Sequence, residues 1–193
     1  LDIIGADFVR DIEPGELVVL EAAGVRSLHP FGPAKRRFCI FEYIYFARPD
    51  TRLAGVELHG ARVRMGAQLA REAPAEADIV MPVPDSGTPA AIGFANESGI
   101  PYVEGLVKNR YVGRTFIQPD QALRERGVRL KFNVLRSVLE GKRVVVVDDS
   151  IVRGSTTRKL VAMLLVNDAP GVTSLLATTR WLTGRTYMAY STE

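Results

Sequence analysis

Residues Arg143 to Thr157 read RVVVVDDSIVRGSTT, and this stretch decides the fold. Val144 to Val147 are four consecutive β-branched residues, a pattern that favours a parallel strand buried on both faces. The run ends in Asp148 and Asp149, and a Gly/Ser/Thr segment follows before a helix that the pattern predicts over residues 158–166. The stretch therefore predicts a parallel strand, a polar loop and a helix in succession.

The loop after this strand has the composition of an anion site. Backbone N–H groups, hydroxyls and a helix N-terminus can all be directed at one phosphate. The adjacent carboxylates of Asp148 and Asp149 would repel a phosphate, so we expect them to accept hydrogen bonds from sugar hydroxyls or to bind Mg²⁺. The sequence has no G-x-G-x-x-G after a strand and no Gly-Lys-Ser/Thr, which excludes a standard dinucleotide site or P-loop. A strand that ends in a charged, capped turn without a ligand is the alternative.

The composition is that of a globular protein. Of 193 residues, 47% are hydrophobic and 24% are charged, which excludes disordered and fibrous classes. The length suits one α/β domain with an appendage, and no apolar run approaches the ~18 residues needed to cross a bilayer. A net charge of +3 suits a polyanionic small substrate as well as nucleic acid. The single cysteine, Cys39, fits a reducing cytoplasm, and a first residue other than Met predicts a partial chain.

Two segments precede the predicted sheet. Residues 1–26 contain β-like pieces at 8–9 and 17–20 around a Pro-Gly turn, which predict a hairpin that needs a further partner. Residues 27–50 predict a connector, and its apolar part, Phe38 to Phe46, is interpreted as a buried strand or a packing segment. An amphipathic helix is predicted over residues 54–72, with Arg62 among its polar residues.

A second polar loop repeats the arrangement of the first. Residues 77–84 predict a buried strand, and Asp85 to Thr88 follow it before a helix predicted over 89–98. Further strands are predicted over 100–107 and 172–179. Alternating strands and helices predict βαβ units in a parallel sheet, whose ligands bind beyond the carboxyl ends of the strands.

The segment from Lys108 to Pro119 combines cations with aromatic residues and a glycine, without clean periodicity. This composition predicts a mobile lid that closes over a phosphorylated ligand and excludes water. The alternative is a surface on which nucleic acid bases stack.

The strand, acidic pair and Gly/Ser/Thr loop resemble the phosphoribosylpyrophosphate (PRPP) motif of type I phosphoribosyltransferases. Four ordered motifs extend this resemblance to the glutamine PRPP amidotransferase family: FEYIYFARPD from Phe41, PVPDSG from Pro82, KNRYVGRTFI from Lys108 and VDDSIVRGST from Val147. In that family a glutaminase domain with an N-terminal nucleophile releases ammonia, and a type I phosphoribosyltransferase domain uses it to displace pyrophosphate from PRPP. The reaction, which yields 5-phosphoribosylamine, commits PRPP to purine synthesis.

The resemblance implies an α/β fold: a parallel-sheet type I phosphoribosyltransferase fold with helices on both faces, preceded by a short β remnant of the glutaminase domain. The implied boundaries are 1–26 for this remnant, 27–50 for a connector and 51–193 for the phosphoribosyltransferase domain. The end of the chain after Val166 departs from the family pattern.

The resemblance also assigns roles to site residues. It implies catalytic roles for Asp148, Asp149, Lys108, Arg110 and Arg114 and an Mg²⁺ site of Ser86, Asp148 and Asp149. The substrate-binding residues that it implies are Asp85, Ser86, Gly87, Thr88, Ser150, Ile151, Val152, Arg153, Gly154, Ser155, Thr156 and Thr157.

Some family members hold an iron–sulfur cluster on four cysteines, and Cys39 lies where one such ligand would be. A cluster would then be possible in the full-length protein only, because one thiolate cannot hold it; a buried apolar role for Cys39 is the alternative. The family implies purine nucleotides as feedback inhibitors and a homodimer or homotetramer, without nucleic acid or membrane partners. Two other functions remain open: a non-catalytic PRPP-sensing regulator and a nucleobase salvage phosphoribosyltransferase.

Overall fold

The computed structural model describes residues 4–32, 34–109, 111, 131–150, 155–176 and 188–191. The chain divides into two compact units, Leu1–Cys39 and Ile40–Glu193. The division falls inside the predicted connector, residues 27–50. Among the described residues, no helix combines the length and the apolar character that crossing a membrane requires.

The first unit is built on a hairpin of β1 (Leu17–Glu21) and β2 (Gly24–Leu28), which pair antiparallel. Gly24 has φ 126°, a conformation that residues with a side chain rarely adopt and that allows the tight turn between the strands. The prediction that residues 8–9 form a strand of this hairpin was wrong. Instead of a strand pairing, a side chain next to this segment makes the contact: Arg10 donates hydrogen bonds of 2.6 and 2.8 Å to the carboxylate of Glu16.

The second unit contains, in chain order, a short π-helix (Glu42–Phe46), β3 (Arg52–Leu53), β4 (Val56–Glu57), α1 (Leu58–Glu72), β5 (Ile79–Pro82), α2 (Thr88–Ser98), β6 (Leu106–Lys108), β7 (Phe132–Val134), α3 (Arg136–Leu139), β8 (Arg143–Asp148), α4 (Ser155–Val166), β9 (Gly171–Leu176) and β10 (Met188–Ser191). Its main sheet has the strand order β10-β9-β8-β5. Strands β5, β8 and β9 are parallel, and β10 is antiparallel to β9.

The valines of β8 explain why helices cover both faces of this sheet. Successive side chains of a strand point to opposite faces. Val144 and Val146 therefore pack in a cluster with residues of α4, whereas Val145 and Val147 pack in a second cluster with Phe94 of α2. All four valines are at most 3% exposed. The predicted α/β fold, with helices on both faces of a parallel sheet, is confirmed.

Helices α1 and α2 approach each other through two glycines. A Cβ atom added to Gly66 would lie 1.8 Å from the carbonyl oxygen of Ala90, and one added to Gly93 would lie 1.9 Å from that of Val63. Real atoms cannot approach so closely, so backbone packs directly on backbone here. This contact fixes α1 against α2, and the N-terminus of α2 lies at the end of the sheet that carries the polar loops.

For the apolar segment 38–46, the interpretation as a buried strand was wrong. The segment contains the π-helix, in which Ile44 is buried whereas Phe46 is 67% exposed. Arg62, a polar residue of the predicted amphipathic helix, is only 3% exposed. Its guanidinium donates to the carbonyl oxygens of Glu42, Tyr43 and Ala47 and so supplies donors that a neighbouring strand would otherwise provide.

The predicted strand over 100–107 is mostly irregular. One bridge joins Tyr102 to Val80, and only Leu106–Lys108 form a strand, β6, which pairs antiparallel with β7 outside the main sheet. Pro101 lacks a backbone N–H and cannot donate to a ladder. The pairing of β6 with β7 brings Lys108 opposite Phe132.

Candidate active site

The acidic pair lies at the carboxyl end of β8, as the sequence predicts. Asp148 is the last residue of the strand, and its Oδ1 accepts a hydrogen bond of 2.8 Å from the backbone N–H of Asp149. The hydroxyl of Ser150 donates to Oδ1 of Asp149 at 2.5 Å. Among the contacts of the described residues, Oδ2 of either carboxylate accepts no hydrogen bond. The turn thus orients both carboxylates at the carboxyl end of β8.

The environment of Asp148 favours its protonated form when no ligand is bound. Burial and the negative charge of Asp149 raise the pKa of Asp148 to about 7, although the N–H of Asp149 and the ammonium of Lys131 oppose this shift. If both groups were ionised, this turn would therefore carry more negative charge than its immediate surroundings balance. A bound cation would supply the missing positive charge.

The turn 85–88 lies against the same end of β8. The N–H of Val83 donates to the carbonyl oxygen of Val147 at 2.9 Å, and the N–H of Gly87 donates to that of Val83 at 3.1 Å. A Cβ on Gly87 would lie 2.6 Å from the Val147 oxygen, so only glycine fits this position. The turn therefore lies beside the acidic pair, with Asp85 exposed and Ser86 half-buried.

Two lysines lie near the carboxylates of the site. Lys108 forms an ion pair with Asp85, and the N–H of Asn109 donates to the carbonyl oxygen of Lys131 at 2.8 Å, which holds Lys131 beside the end of β6. Burial and the neighbouring charge of Lys108 lower the pKa of Lys131, whereas the carboxylates of Asp148, Asp85 and Asp149 raise it. These charges lie close enough to influence one another and form one cluster, defined here as the charged cluster: Asp85, Lys108, Lys131, Asp148 and Asp149.

Comparison with known proteins finds relatives with one shared name. No protein-family model matches the chain. An amidophosphoribosyltransferase from Mycobacterium tuberculosis is 62% identical over 164 residues, which are 85% of this chain and 31% of the relative. Over this shared length, the chain is similar to amidophosphoribosyltransferases. The predicted resemblance is confirmed.

Two solved structures show the same similarity. Bacillus subtilis glutamine PRPP amidotransferase, complexed with ADP and GMP, matches with a TM-score of 0.78 and 52% identity over 91% of this chain and 39% of that one. A structure described as the allosteric regulatory enzyme of purine biosynthesis also has a TM-score of 0.78 and 52% identity, over 91% of this chain and 38% of its own. The chain spans about a third of the length of the relatives it matches.

Lys131 is the member of the charged cluster to which the sequence analysis assigned no role. It lies 23 residues after Lys108, beyond a segment with no clean periodicity, so spacing alone does not connect the two lysines. The antiparallel pairing of β6 with β7 brings them together. A prediction that residues 106–108 and 132–134 pair as neighbouring strands would have placed Lys131 near Lys108.

Several predicted site residues lie outside the described part of the chain: Arg110, Arg114, Ile151, Val152, Arg153 and Gly154. Ser155 and Thr156 begin α4, but their side chains are not described. Thr157 is 5% exposed in the first turn of this helix. The roles expected for these residues stay predictions.

The residues present fit Mg²⁺ better than an iron–sulfur cluster. Mg²⁺ is commonly held by one or two carboxylates together with waters and substrate phosphates, and the acidic pair offers two carboxylates in a single turn. The described residues contain no group of three or more His, Cys, Asp or Glu side chains placed to hold a metal. Cys39 is the sole cysteine of the sequence and does not suffice for a cluster. It is exposed, so the alternative of a buried apolar Cys39 was wrong.

Proposed function

We propose that the protein containing this chain is an amidophosphoribosyltransferase, which converts PRPP, glutamine and water to 5-phosphoribosylamine, glutamate and pyrophosphate. This chain would supply the phosphoribosyltransferase site, where ammonia is the acceptor. The observation that carries the proposal is the charged cluster: an acidic pair at the carboxyl end of β8 lies together with two lysines and the turn 85–88. The names of the relatives support the same activity.

The roles proposed for the residues follow the geometry. Asp148 and Asp149, with Ser86, would hold Mg²⁺, and their remaining oxygens would accept hydrogen bonds from the ribose hydroxyls. Mg²⁺, when bound, supplies positive charge next to the pyrophosphate. Lys108 and Lys131 would attract the phosphates of PRPP, while Asp85 to Thr88 would face the pyrophosphate. Ser150 to Thr157 would bind the 5-phosphate, and Arg110 and Arg114 would come from the lid.

The reaction proposed here needs no protein nucleophile. The nitrogen lone pair of ammonia forms a bond to the anomeric carbon while the bond from that carbon to the pyrophosphate oxygen breaks. The nitrogen then loses one proton. The lysines offset the negative charge that grows on the leaving pyrophosphate, and such preorganised electrostatic stabilisation is commonly the largest contribution to a rate.

The proposal extends to domains and partners. Residues 1–26 would belong to a glutaminase domain, 27–50 to a connector and 51–193 to the phosphoribosyltransferase domain, and the separate compact unit Leu1–Cys39 supports a division of this kind. Purine nucleotides would act as feedback inhibitors, in keeping with the ADP and GMP bound by the Bacillus subtilis protein. We also propose a homo-oligomer and, because Cys39 is a free thiol, a cytoplasmic location.

The decisive experiment is an assay of pyrophosphate release from PRPP and Mg²⁺, with ammonium salt or glutamine as the nitrogen donor. For the 193-residue chain we expect turnover with ammonium and none with glutamine. Pyrophosphate release that depends on an added purine or pyrimidine base would instead indicate a salvage enzyme. Binding of PRPP without turnover in the protein at its natural length would indicate a sensor.

The raised pKa of Asp148 predicts a pH-dependent stability difference. Its ordinary pKa is 3.8, and the folded value is about 7. The folded state therefore binds more protons between these values, so the contribution of Asp148 to stability is fully present below about pH 4 and is lost as pH rises through 7. In the ligand-free protein, Asp148→Asn should gain stability relative to the parent between pH 4 and 8, by no more than about 4 kcal/mol.

Denaturant unfolding of both proteins at pH 5 and pH 8 measures this difference. Because Asn has nearly the same shape as Asp but does not ionise, the pH dependence of the difference belongs to Asp148. A stability difference that stays constant between the two pH values would show that Asp148 titrates below this range.

A further inference from the structure

Asp85 carries a carboxylate in the turn that would face the pyrophosphate. An ionised carboxylate accepts hydrogen bonds but cannot donate one, and it repels phosphate oxygens. Its Oδ2 forms an ion pair with the ammonium of Lys108, the lysine proposed to attract the phosphates. A phosphate therefore has to displace Asp85 before it can bind Lys108.

Separate parts of the backbone hold the two members of this ion pair. The turn that carries Asp85 packs against β8, where a Cβ on Gly87 would lie 2.6 Å from the carbonyl oxygen of Val147. Lys108 ends β6 and lies opposite Phe132 of β7. The ion pair thus connects the end of the main sheet to the pair of β6 and β7 through side chains alone. Rotation of these side chains is enough to open it.

The two side chains of the ion pair differ in their exposure. The side chain of Asp85 is 76% exposed, whereas that of Lys108 is 33% exposed. When the pair opens, the carboxylate can rotate into water and keep its hydration, while the more enclosed ammonium remains at the site. Exposed ion pairs contribute little free energy, so a multiply charged pyrophosphate can replace the single carboxylate of Asp85.

We propose that the carboxylate of Asp85 competes with pyrophosphate for the ammonium of Lys108 and thereby promotes product release. While the bond to the anomeric carbon breaks, Lys108 offsets the charge on the leaving pyrophosphate, and the carboxylate of Asp85 is turned to water. Afterwards Lys108 returns to Asp85, and the pyrophosphate leaves the site. This inference rests on the proposed function, because it takes pyrophosphate as the leaving group.

The test uses Asp85→Asn in the protein at its natural length, because Asn keeps the shape of the side chain and removes the competing charge. Calorimetric titration with inorganic pyrophosphate at saturating Mg²⁺ should show binding about fivefold tighter than in the parent, the upper end of what an exposed ion pair contributes. Pyrophosphate should also inhibit turnover with ammonium more strongly, by the same factor. Weaker or unchanged binding of pyrophosphate to Asp85→Asn would overturn the proposal.

Asp168→Asn is the matched control. Asp168 also forms an ion pair between separate elements, with Arg136 of α3. Its carbonyl oxygen accepts a hydrogen bond of 3.0 Å from the N–H of Gly141, which precedes β8, so it lies at the end of the sheet opposite the site. This substitution removes the same charge from the protein and should leave pyrophosphate binding as in the parent.

A double-mutant cycle with Lys108→Met shows whether the effect passes through Lys108. In the Lys108→Met background, Asp85→Asn should gain about twofold or less in pyrophosphate affinity, because no lysine is left to be released. An equal gain in both backgrounds would show that Asp85 only repels the anion, and would overturn the competition for Lys108. Failure of the parent protein to bind pyrophosphate and PRPP would overturn the proposed function itself, so the two failures are distinguishable.

Discussion

Asp149→Asn is expected to fold as the parent protein does and to lose turnover with ammonium and PRPP by about 10²–10³-fold, the usual loss for one well-aimed electrostatic group. Asn preserves the size of the side chain and an oxygen that can accept the hydrogen bond from Ser150. It removes the negative charge that the proposed mechanism requires next to Mg²⁺ and the ribose hydroxyls. The defect should therefore appear in kcat rather than in the folded structure.

The measurement is pyrophosphate release with saturating ammonium, together with a thermal melt of the same preparation. Asp50→Asn is a suitable control, because Asp50 is an exposed aspartate in another part of the unit and accepts hydrogen bonds of 2.7 and 3.1 Å from Arg48. It should keep full turnover. Unchanged ammonia-dependent activity in Asp149→Asn would remove the acidic pair from the mechanism.

Gly93→Ala has the largest expected effect on stability. Its Cβ would lie 1.9 Å from the carbonyl oxygen of Val63 and 3.0 Å from the N atom of Ala67, and both contacts are backbone atoms of α1 that no rotamer change can move. The two helices would have to separate, which would open the apolar cluster around Phe94. We expect a loss of about 3 kcal/mol or more, or about 6–12 °C in the melting temperature.

Gly60→Ala provides the matched control on α1. There the added Cβ would meet the end of the flexible Glu57 side chain at 2.8 Å, and that carboxylate can move away. The helical preference of alanine should offset the weakened N-cap hydrogen bond, which leaves the stability within about 1 kcal/mol of the parent. Equal melting temperatures for Gly93→Ala and Gly60→Ala would show that the helices can separate without cost.

The local chemistry of the chain predicted much of the fold. The run Val144 to Val147 specified a strand buried on both faces, because no polar side chain interrupts it, and the alternation of its neighbours with helical patterns specified a parallel sheet. The acidic pair was predicted at the carboxyl end of this strand, because the valine run ends directly before Asp148. Four sequence motifs added the resemblance to glutamine PRPP amidotransferases, which comparison with known proteins confirmed.

These local patterns did not predict the pairing of strands that are far apart in the sequence. Lys131 enters the charged cluster because β6 pairs with β7, and the two strands lie more than 20 residues apart in the sequence. The apolar segment 38–46 resembled a strand by composition, yet the carbonyl oxygens of its turn are bound by Arg62, a residue of the next helix. Its exposed aromatic side chains show that composition does not determine burial.

The sequence by itself therefore determined the parallel sheet, the positions of its polar loops and the residue types of the site, since β-branched runs, glycines and paired carboxylates act through local physical constraints. Only the tertiary structure decided which cations accompany the carboxylates and that Arg62 is buried. Those outcomes depend on the pairing of β6 with β7 and on the hydrogen bonds between Arg62 and the turn 42–47. Charges interact across space, and their distances are fixed by the packing of the chain rather than by its order.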